Sequence, residues 1–266
     1  MSEFDKLAGK VLSRDIAYAF LTKTENYSRC YGKNELKFGS KPVLIVIDCV
    51  KAYHDSTSPL YAPKRFDEAL KSILRLIEKC RAVGIPVVYT SVIYETPQSG
   101  GKWYMEKLPN VLCCYDAGNP FRDFAEGVEP RKDEVVVLKQ YSSSFFGTSL
   151  SSLLASWGCD STILCGYSTS GCVRATGKSA LVQNPCSGLT WEALDSMQYG
   201  YSPFVVKEAC GDRHASVNDS NVRISPFSNS VHYQAYFLPL IEVCAIVFNR
   251  KLLSSVMRLD LARKRC

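Results

Sequence analysis

The sequence predicts a three-layer α/β/α domain on a mainly parallel sheet. Three observations carry that expectation. Strand-length runs rich in apolar residues recur at Val43 to Ile47, Pro86 to Val92, Glu134 to Lys139, Thr162 to Cys165 and Ser202 to Val206, most of them without the alternation of a one-faced sheet. Helix-period segments separate several of these runs, and such alternation calls for right-handed crossovers between parallel strands. The 266 residues are also enough to bury one large core.

Residues 1–40 read as an N-terminal arm with one helical piece, because Ile16, Ala17, Phe20 and Leu21 recur at helical spacing. Its role is packing or subunit contact. Lys41-Pro42 then opens the first strand, and the main domain runs from there over 41–221. From Phe66 to Ala82 the residues Phe66, Ala69, Leu70, Ile73, Leu74, Ile77 and Cys80 follow a 3.6-residue period. Gly84 and Pro86 end that helix. Between Glu95 and Arg131 the chain is irregular, with Gly100-Gly101, Trp103, Tyr104, Pro109 and Cys113-Cys114, and reads equally as a substrate lid or a surface excursion. Thr148 caps the helix that runs to Trp157-Gly158.

The loop Gly166-Tyr167-Ser168-Thr169-Ser170-Gly171 follows the strand at Thr162 to Cys165, and Cys172 opens a segment of helix-compatible composition. A thiol at a helix N-terminus meets unpaired N–H groups and the positive end of the dipole, which favour a thiolate. The same N–H groups suit an oxyanion hole. Parallel sheets gather their reactive groups at the carboxyl ends of strands. Asp48, Lys139 and Cys172 each lie at such an end, on three different strands. Asp48 is the candidate general base; Lys139 would hold it ionised and lower the thiol pKa. Plain structural readings exist for each: a turn-capping aspartate, a rim lysine and a buried cysteine.

Composition narrows the classes. The formal net charge of +6 comes largely from the last residues, Arg250, Lys251, Arg258, Arg263, Lys264 and Arg265, which fit a solvated tail better than a nucleic-acid surface. Met1 to Asp5 lacks the basic and apolar regions of a signal peptide, and the twelve cysteines are therefore expected to be reduced, in a cytoplasmic setting. The apolar stretch Ala235 to Phe248 is too short to span a bilayer and contains Pro239 and Glu242. A Cys/His zinc site has little support from three histidines, His54, His214 and His232, and no Cys-x-x-Cys pair.

Four blocks resemble the isochorismatase-like cysteine hydrolases, and most closely their N-carbamoylsarcosine amidohydrolase branch. They are Val43-Leu44-Ile45-Val46-Ile47-Asp48 with Ser58-Pro59-Leu60-Tyr61; Leu138-Lys139-Gln140-Tyr141-Ser142-Ser143-Ser144-Phe145-Phe146-Gly147-Thr148; Gly166 to Thr176; and Glu208-Ala209-Cys210-Gly211-Asp212-Arg213-His214. The resemblance spans roughly residues 10 to 215 in the family's order. It implies the isochorismatase-like fold and an Asp48, Lys139 and Cys172 triad that cleaves a C–N bond of a small carboxylate-bearing amide or N-carbamoyl substrate. It further implies a cis peptide between Tyr167 and Ser168, an oxyanion hole from the Ser168 and Cys172 N–H groups, a substrate carboxylate held by Arg213, and a hydroxyl contact from Thr169.

Alternatives within the resemblance are maleamate or nicotinamide amidase activity, isochorismatase activity, or a catalytically impaired scaffold. His54 and Asp55 stand where nicotinamidases place metal ligands, but the full set is absent, so neither metal nor cofactor is expected. A small-molecule substrate and a homo-oligomer, dimer or tetramer, are expected, with no nucleic-acid or membrane partner. Tyr61, Trp103 and Tyr104 suggest an aromatic wall. A serine hydrolase is the competing class, since Gly166 to Ser170 approaches a Gly-x-Ser-x-Gly elbow. Its fifth position is serine and no histidine has the required place.

Two departures from the family stand out. Sixteen residues, Gly177 to Glu192, interrupt what the family continues as one helix and read as a translated, unspliced intron carrying the breaker Asn184-Pro185-Cys186-Ser187-Gly188. Past Asn221 the resemblance ends, so 222–266 is an atypical tail and part of the sheet's usual edge is expected to be missing.

Overall fold

The computed structural model describes residues 37–177, 195–214, 216–218 and 236–238. The helical piece of the arm, the body of the 177–192 insertion and the tail outside 236–238 lie outside the described residues.

Six strands form one all-parallel sheet in the order β3-β2-β1-β4-β5-β6, comprising β1 (Pro42–Ile47), β2 (Val87–Val92), β3 (Val135–Lys139), β4 (Ser161–Tyr167), β5 (Ser202–Gly211) and β6 (Tyr236–Leu238). The helices are α1 (Arg65–Ala82), α2 (Pro109–Cys114), α3 (Leu150–Ser156), α4 (Cys172–Gly177) and α5 (Asp195–Gln198). The sheet edge does not end at β5 as expected. Phe204, Val205 and Val206 pair in parallel with Tyr236, Phe237 and Leu238.

The layers follow from the two-residue period of β1. Leu44 and Val46 face one side, where they join Phe66, Ala69, Ile73, Leu76, Ile77 and Cys80 of α1. Val43, Ile45 and Ile47 face the other, with Leu150 and Leu154 of α3 and Val173 of α4. A strand buried on both faces needs apolar residues at every position, and β1 has them. Thr148 does serve α3, its hydroxyl accepting from Leu150 N at 3.2 Å.

The 95–131 connection replaces the usual crossover helix with short turns and α2. It is anchored rather than loose: Tyr94 N donates to Tyr115 O, Ala117 N donates to Tyr94 O, and Leu112, Cys114 and Tyr115 enter the core. Such short elements leave β3 partly uncovered, with Val136 and Leu138 exposed. Strands wind outward in both directions from the β1–β4 pair, which makes the carboxyl end of that pair the topological switch point.

Candidate active site

The first site residue sits immediately after β1. Asp48 has φ +51°, a left-handed conformation uncommon outside glycine, and is 1% exposed. The second ends β3. Lys139 is fully buried, and its side chain crosses the end of β2 to bring Nζ within 2.9 Å of Asp48 Oδ2. Lys139 Nζ also donates to Tyr141 O and Ser142 O, both at 3.0 Å, and to Cys172 Sγ at 3.3 Å. The third residue, Cys172, opens α4, as the loop composition predicts.

The two carboxylate oxygens of Asp48 differ. Oδ1 accepts from the Thr90 hydroxyl of β2 at 2.7 Å. Oδ2 touches the ammonium as an ion pair, yet that approach lies outside hydrogen-bond geometry and leaves the oxygen's lone pairs unclaimed. A buried acceptor without a donor is an available proton site beside the thiol.

Electrostatics overturn one expectation. The Cys172 thiol is pushed up to about 12 rather than down, by burial first and then by the Asp48 charge, with Lys139 working in the opposite direction. Six residues of helix and one ammonium do not offset desolvation plus a carboxylate. The resting site is therefore a neutral thiol beside an ion pair. Burial works against the Lys139 ammonium, but Asp48 and Cys172 outweigh it and keep the lysine well above its ordinary range.

The nucleophile loop is built differently from expectation. The Tyr167–Ser168 peptide is trans, and the turn is made by Ser168 at φ +64°. Ser168 N–H is spent on Gly211 O at 2.8 Å, so the donor expected of it for an oxyanion is occupied; Cys172 N–H, at the first turn of α4, stands where helices leave N–H groups unpaired. Thr169 is likewise displaced from a substrate role. It is buried, and its hydroxyl is held between Asp212 Oδ2 and Asn218 Oδ1, both at 3.1 Å. Asp212 also accepts from Ser170 N and Ser170 Oγ, pinning this loop to the end of β5. Gly166 permits the close fit below: at φ +134°, a Cβ there would stand 2.1 Å from Ile47 O.

Arg213 is exposed, with Nη2 donating to Leu60 O at 3.1 Å and its guanidinium carbon 5.7 Å from the centre of the Tyr53 ring. Of the three aromatics expected as a wall, Tyr104 joins the site, its hydroxyl 3.1 Å from Ser142 Oγ, whereas Tyr61 and Trp103 face solvent. Sequence reasoning missed Thr90 and a ring of tyrosines, Tyr53, Tyr94 and Tyr115. The negative charges of Cys172 and Asp48 help hold all three of these phenols protonated, after burial, which is the larger cause. The only signal for Thr90 was a polar pair, Thr90-Ser91, inside an apolar strand.

The competing elbow reading fails on geometry, since Ser168 Oγ pairs with the Tyr53 hydroxyl at 3.1 Å rather than with a histidine. His54 is engaged by Asp67 and Tyr167, each at 2.7 Å. Among the described residues, no three His, Cys, Asp or Glu side chains are placed to share a metal ion. The eight described cysteines are free thiols, and no described helix is long and apolar enough to cross a membrane.

Comparisons with known proteins agree with this geometry. A family profile described as "Isochorismatase domain" matches residues 42–184. Maleamate amidohydrolase of Pseudomonas putida is 38% identical over 200 residues, covering 74% of this chain and 84% of that protein. N-carbamoylsarcosine amidase of an Arthrobacter species is 28% identical over 210 residues, covering 77% and 72%. A solved cysteine hydrolase from Pseudomonas syringae shares the fold with a TM-score of 0.68 at 19% identity, over 82% of this chain and 99% of that one. On the profile match, the identity to the Pseudomonas putida protein and the shared sheet, this chain belongs to the isochorismatase family.

Proposed function

We propose that this isochorismatase-family amidohydrolase cleaves the C–N bond of a small amide or N-carbamoyl compound carrying a carboxylate, with Cys172 as nucleophile and release of ammonia. One observation carries the reading: a thiol within 3.3 Å of an ammonium that is itself 2.9 Å from a carboxylate oxygen with an open acceptor position. Cys172 Sγ attacks the carbonyl carbon while its proton passes to Asp48. The tetrahedral oxygen gathers charge facing Cys172 N–H and the field of Lys139. Asp48 then returns the proton to the departing nitrogen, leaving a thioester and ammonia. Water, deprotonated by Asp48, attacks the thioester; the carboxylic acid leaves and the thiol regains its proton.

For the substrate, the 38% identity to a maleamate amidohydrolase favours an amide of a small dicarboxylate over N-carbamoylsarcosine, although the resemblance read from the motifs pointed to the latter branch. Arg213 supplies the matching cation for the free carboxylate. The protein works as a reduced cytoplasmic enzyme and a homo-oligomer, for which the exposed Val136, Leu138 and Phe146 near the β3 edge offer an apolar contact. Ammonia release from maleamate, N-carbamoylsarcosine and nicotinamide by the purified protein tests the reading. Turnover of the acids above the neutral amide is the expected result; no turnover of any of the three would reject it.

A further inference from the structure

Tyr53 lies in the short helical turn Lys51–Tyr53 that follows Asp48, and is 5% exposed. Its two ends face different parts of the site. The ring lies beneath the Arg213 guanidinium, 5.7 Å from centroid to carbon, a separation within reach of cation–π attraction. The hydroxyl pairs with Ser168 Oγ at 3.1 Å and accepts a longer contact from Tyr115 at 3.3 Å. With Tyr115 as donor to it, the Tyr53 proton is directed at Ser168.

Ser168 is a residue the thiol depends on. Its carbonyl accepts from Gly171 N at 2.9 Å and Val173 N at 3.2 Å, the residues on either side of Cys172. It also holds φ +64°, which costs a non-glycine residue on the order of 1 kcal/mol and persists only where the surroundings enforce it. Phe66 and Tyr167 lock the Tyr53 ring from other sides, with centroids at 4.7 and 5.2 Å. The side chain therefore cannot release one contact and keep the other by turning away.

We infer that Tyr53 is a positioning residue joining the carboxylate grip to the nucleophile: its ring seats Arg213 and its hydroxyl fixes the Ser168 turn that sets Cys172. This rests on the reading of Arg213 and Cys172 given above. Binding an anion at Arg213 presses on the same ring whose hydroxyl orders the loop, so an acid substrate and a correctly set thiol reinforce each other.

The test uses the full-length protein and a probe pair that needs no knowledge of the substrate. Iodoacetate and iodoacetamide both alkylate a thiol, but only iodoacetate carries a carboxylate. Labelling of Cys172 is followed by peptide mass spectrometry at pH 8.5 in wild type, Tyr53→Phe, Tyr53→Leu, Ser168→Ala and the Tyr53→Phe/Ser168→Ala double variant. Tyr53→Leu is expected to lower the iodoacetate-to-iodoacetamide rate ratio by roughly threefold to thirtyfold, whereas Tyr53→Phe keeps the ratio. Tyr53→Phe is expected to slow both reagents by roughly threefold to tenfold. The double variant should match Ser168→Ala alone, because the hydroxyl acts through the serine. An unchanged ratio in Tyr53→Leu, or additive losses in the double variant, overturns the inference. Tyr53→Phe keeps the ring in the core, so this arm holds even if Tyr53→Leu does not fold. Failure of wild type to release ammonia from any amide would reject the proposed function while the labelling ratios still decide the role of Tyr53.

Discussion

The Thr90 hydroxyl, on the strand next to β1, donates to Asp48 Oδ1 at 2.7 Å inside a fully buried setting. It fixes which carboxylate oxygen is spent and which remains for the thiol proton. Replacing Thr90 with valine preserves shape and deletes the bond. A hydrogen bond to a charged group contributes about 1.5–3 kcal/mol, so kcat should fall roughly tenfold to a hundredfold with KM little changed. Thr90→Ser should recover most of the rate. Steady-state ammonia assays on the three proteins check this, and a serine variant as slow as the valine one would assign Thr90 to packing alone.

Cys172→Ser should remove turnover while leaving the melting temperature nearly unchanged, because the sulfur contributes chemistry and little packing. Asp48→Asn should reduce the rate of thioester formation by roughly 10²–10⁴, the usual range for a general base. Single-turnover measurements separate that step from hydrolysis of the thioester.

Lys139→Met should destabilise the fold by about 3–5 kcal/mol, since it strands a buried carboxylate without its ammonium. The Asp48→Asn/Lys139→Met pair should be more stable than Lys139→Met, having no uncompensated charge. Urea unfolding of the four proteins reads this out, and additive losses would show that the two side chains do not interact.

Arg213→Ala should raise KM for maleamate roughly tenfold to a hundredfold and hardly affect nicotinamide, if a charge-assisted pair of about 1.5–3 kcal/mol is lost. Arg213→Lys should restore only part, because an ammonium lacks the bidentate fork. Equal losses on both substrates would place Arg213 among residues that support the local backbone through Leu60 O.

Stability should fall in alkali. Burial, the largest cause for each, raises the Cys172 thiol from 9.0 to about 12 and the Tyr53 phenol from 10.0 to about 12. Groups raised in the folded state contribute stability that is complete below their unfolded values and is lost as pH rises toward their folded ones. Melting temperature should therefore hold up to about pH 8.5 and decline from pH 9 to 12, each such group adding a slope of about 1.4 kcal/mol per pH unit. Cys172→Ala should make the decline shallower between pH 9 and 10. A decline of unchanged slope in that variant would remove the buried thiol from the account.

Much of the framework was legible because its causes are local. The uninterrupted apolar run of β1 and the 3.6-residue period of α1 specify those elements within a residue or two of where they lie. The ends of strands follow, and with them the places of Asp48, Lys139 and Cys172. What stayed hidden depends on groups distant in sequence. A threonine in a strand is ordinary until Asp48 turns out to face it, and Tyr53 looks like any aromatic after a strand until Ser168 and Arg213 arrive from residues more than a hundred positions away. The protonated thiol was missed for the same reason. A helix N-terminus can be read from a motif, whereas the enclosure that outweighs it is a property of the packed sheet end.

Lys139 stretched across the end of β2 also decides how the site handles charge through a whole turnover. Carboxylate, ammonium and thiol sum to zero at rest. When the thiol proton moves to Asp48 and an oxyanion forms, the sum is still zero, and it is zero again in the thioester once ammonia leaves as a neutral molecule. The pocket therefore needs no counter-ion to enter or leave during bond breaking. Added salt should leave kcat nearly constant and act on KM alone, through the one partner that meets a charged substrate from outside, Arg213.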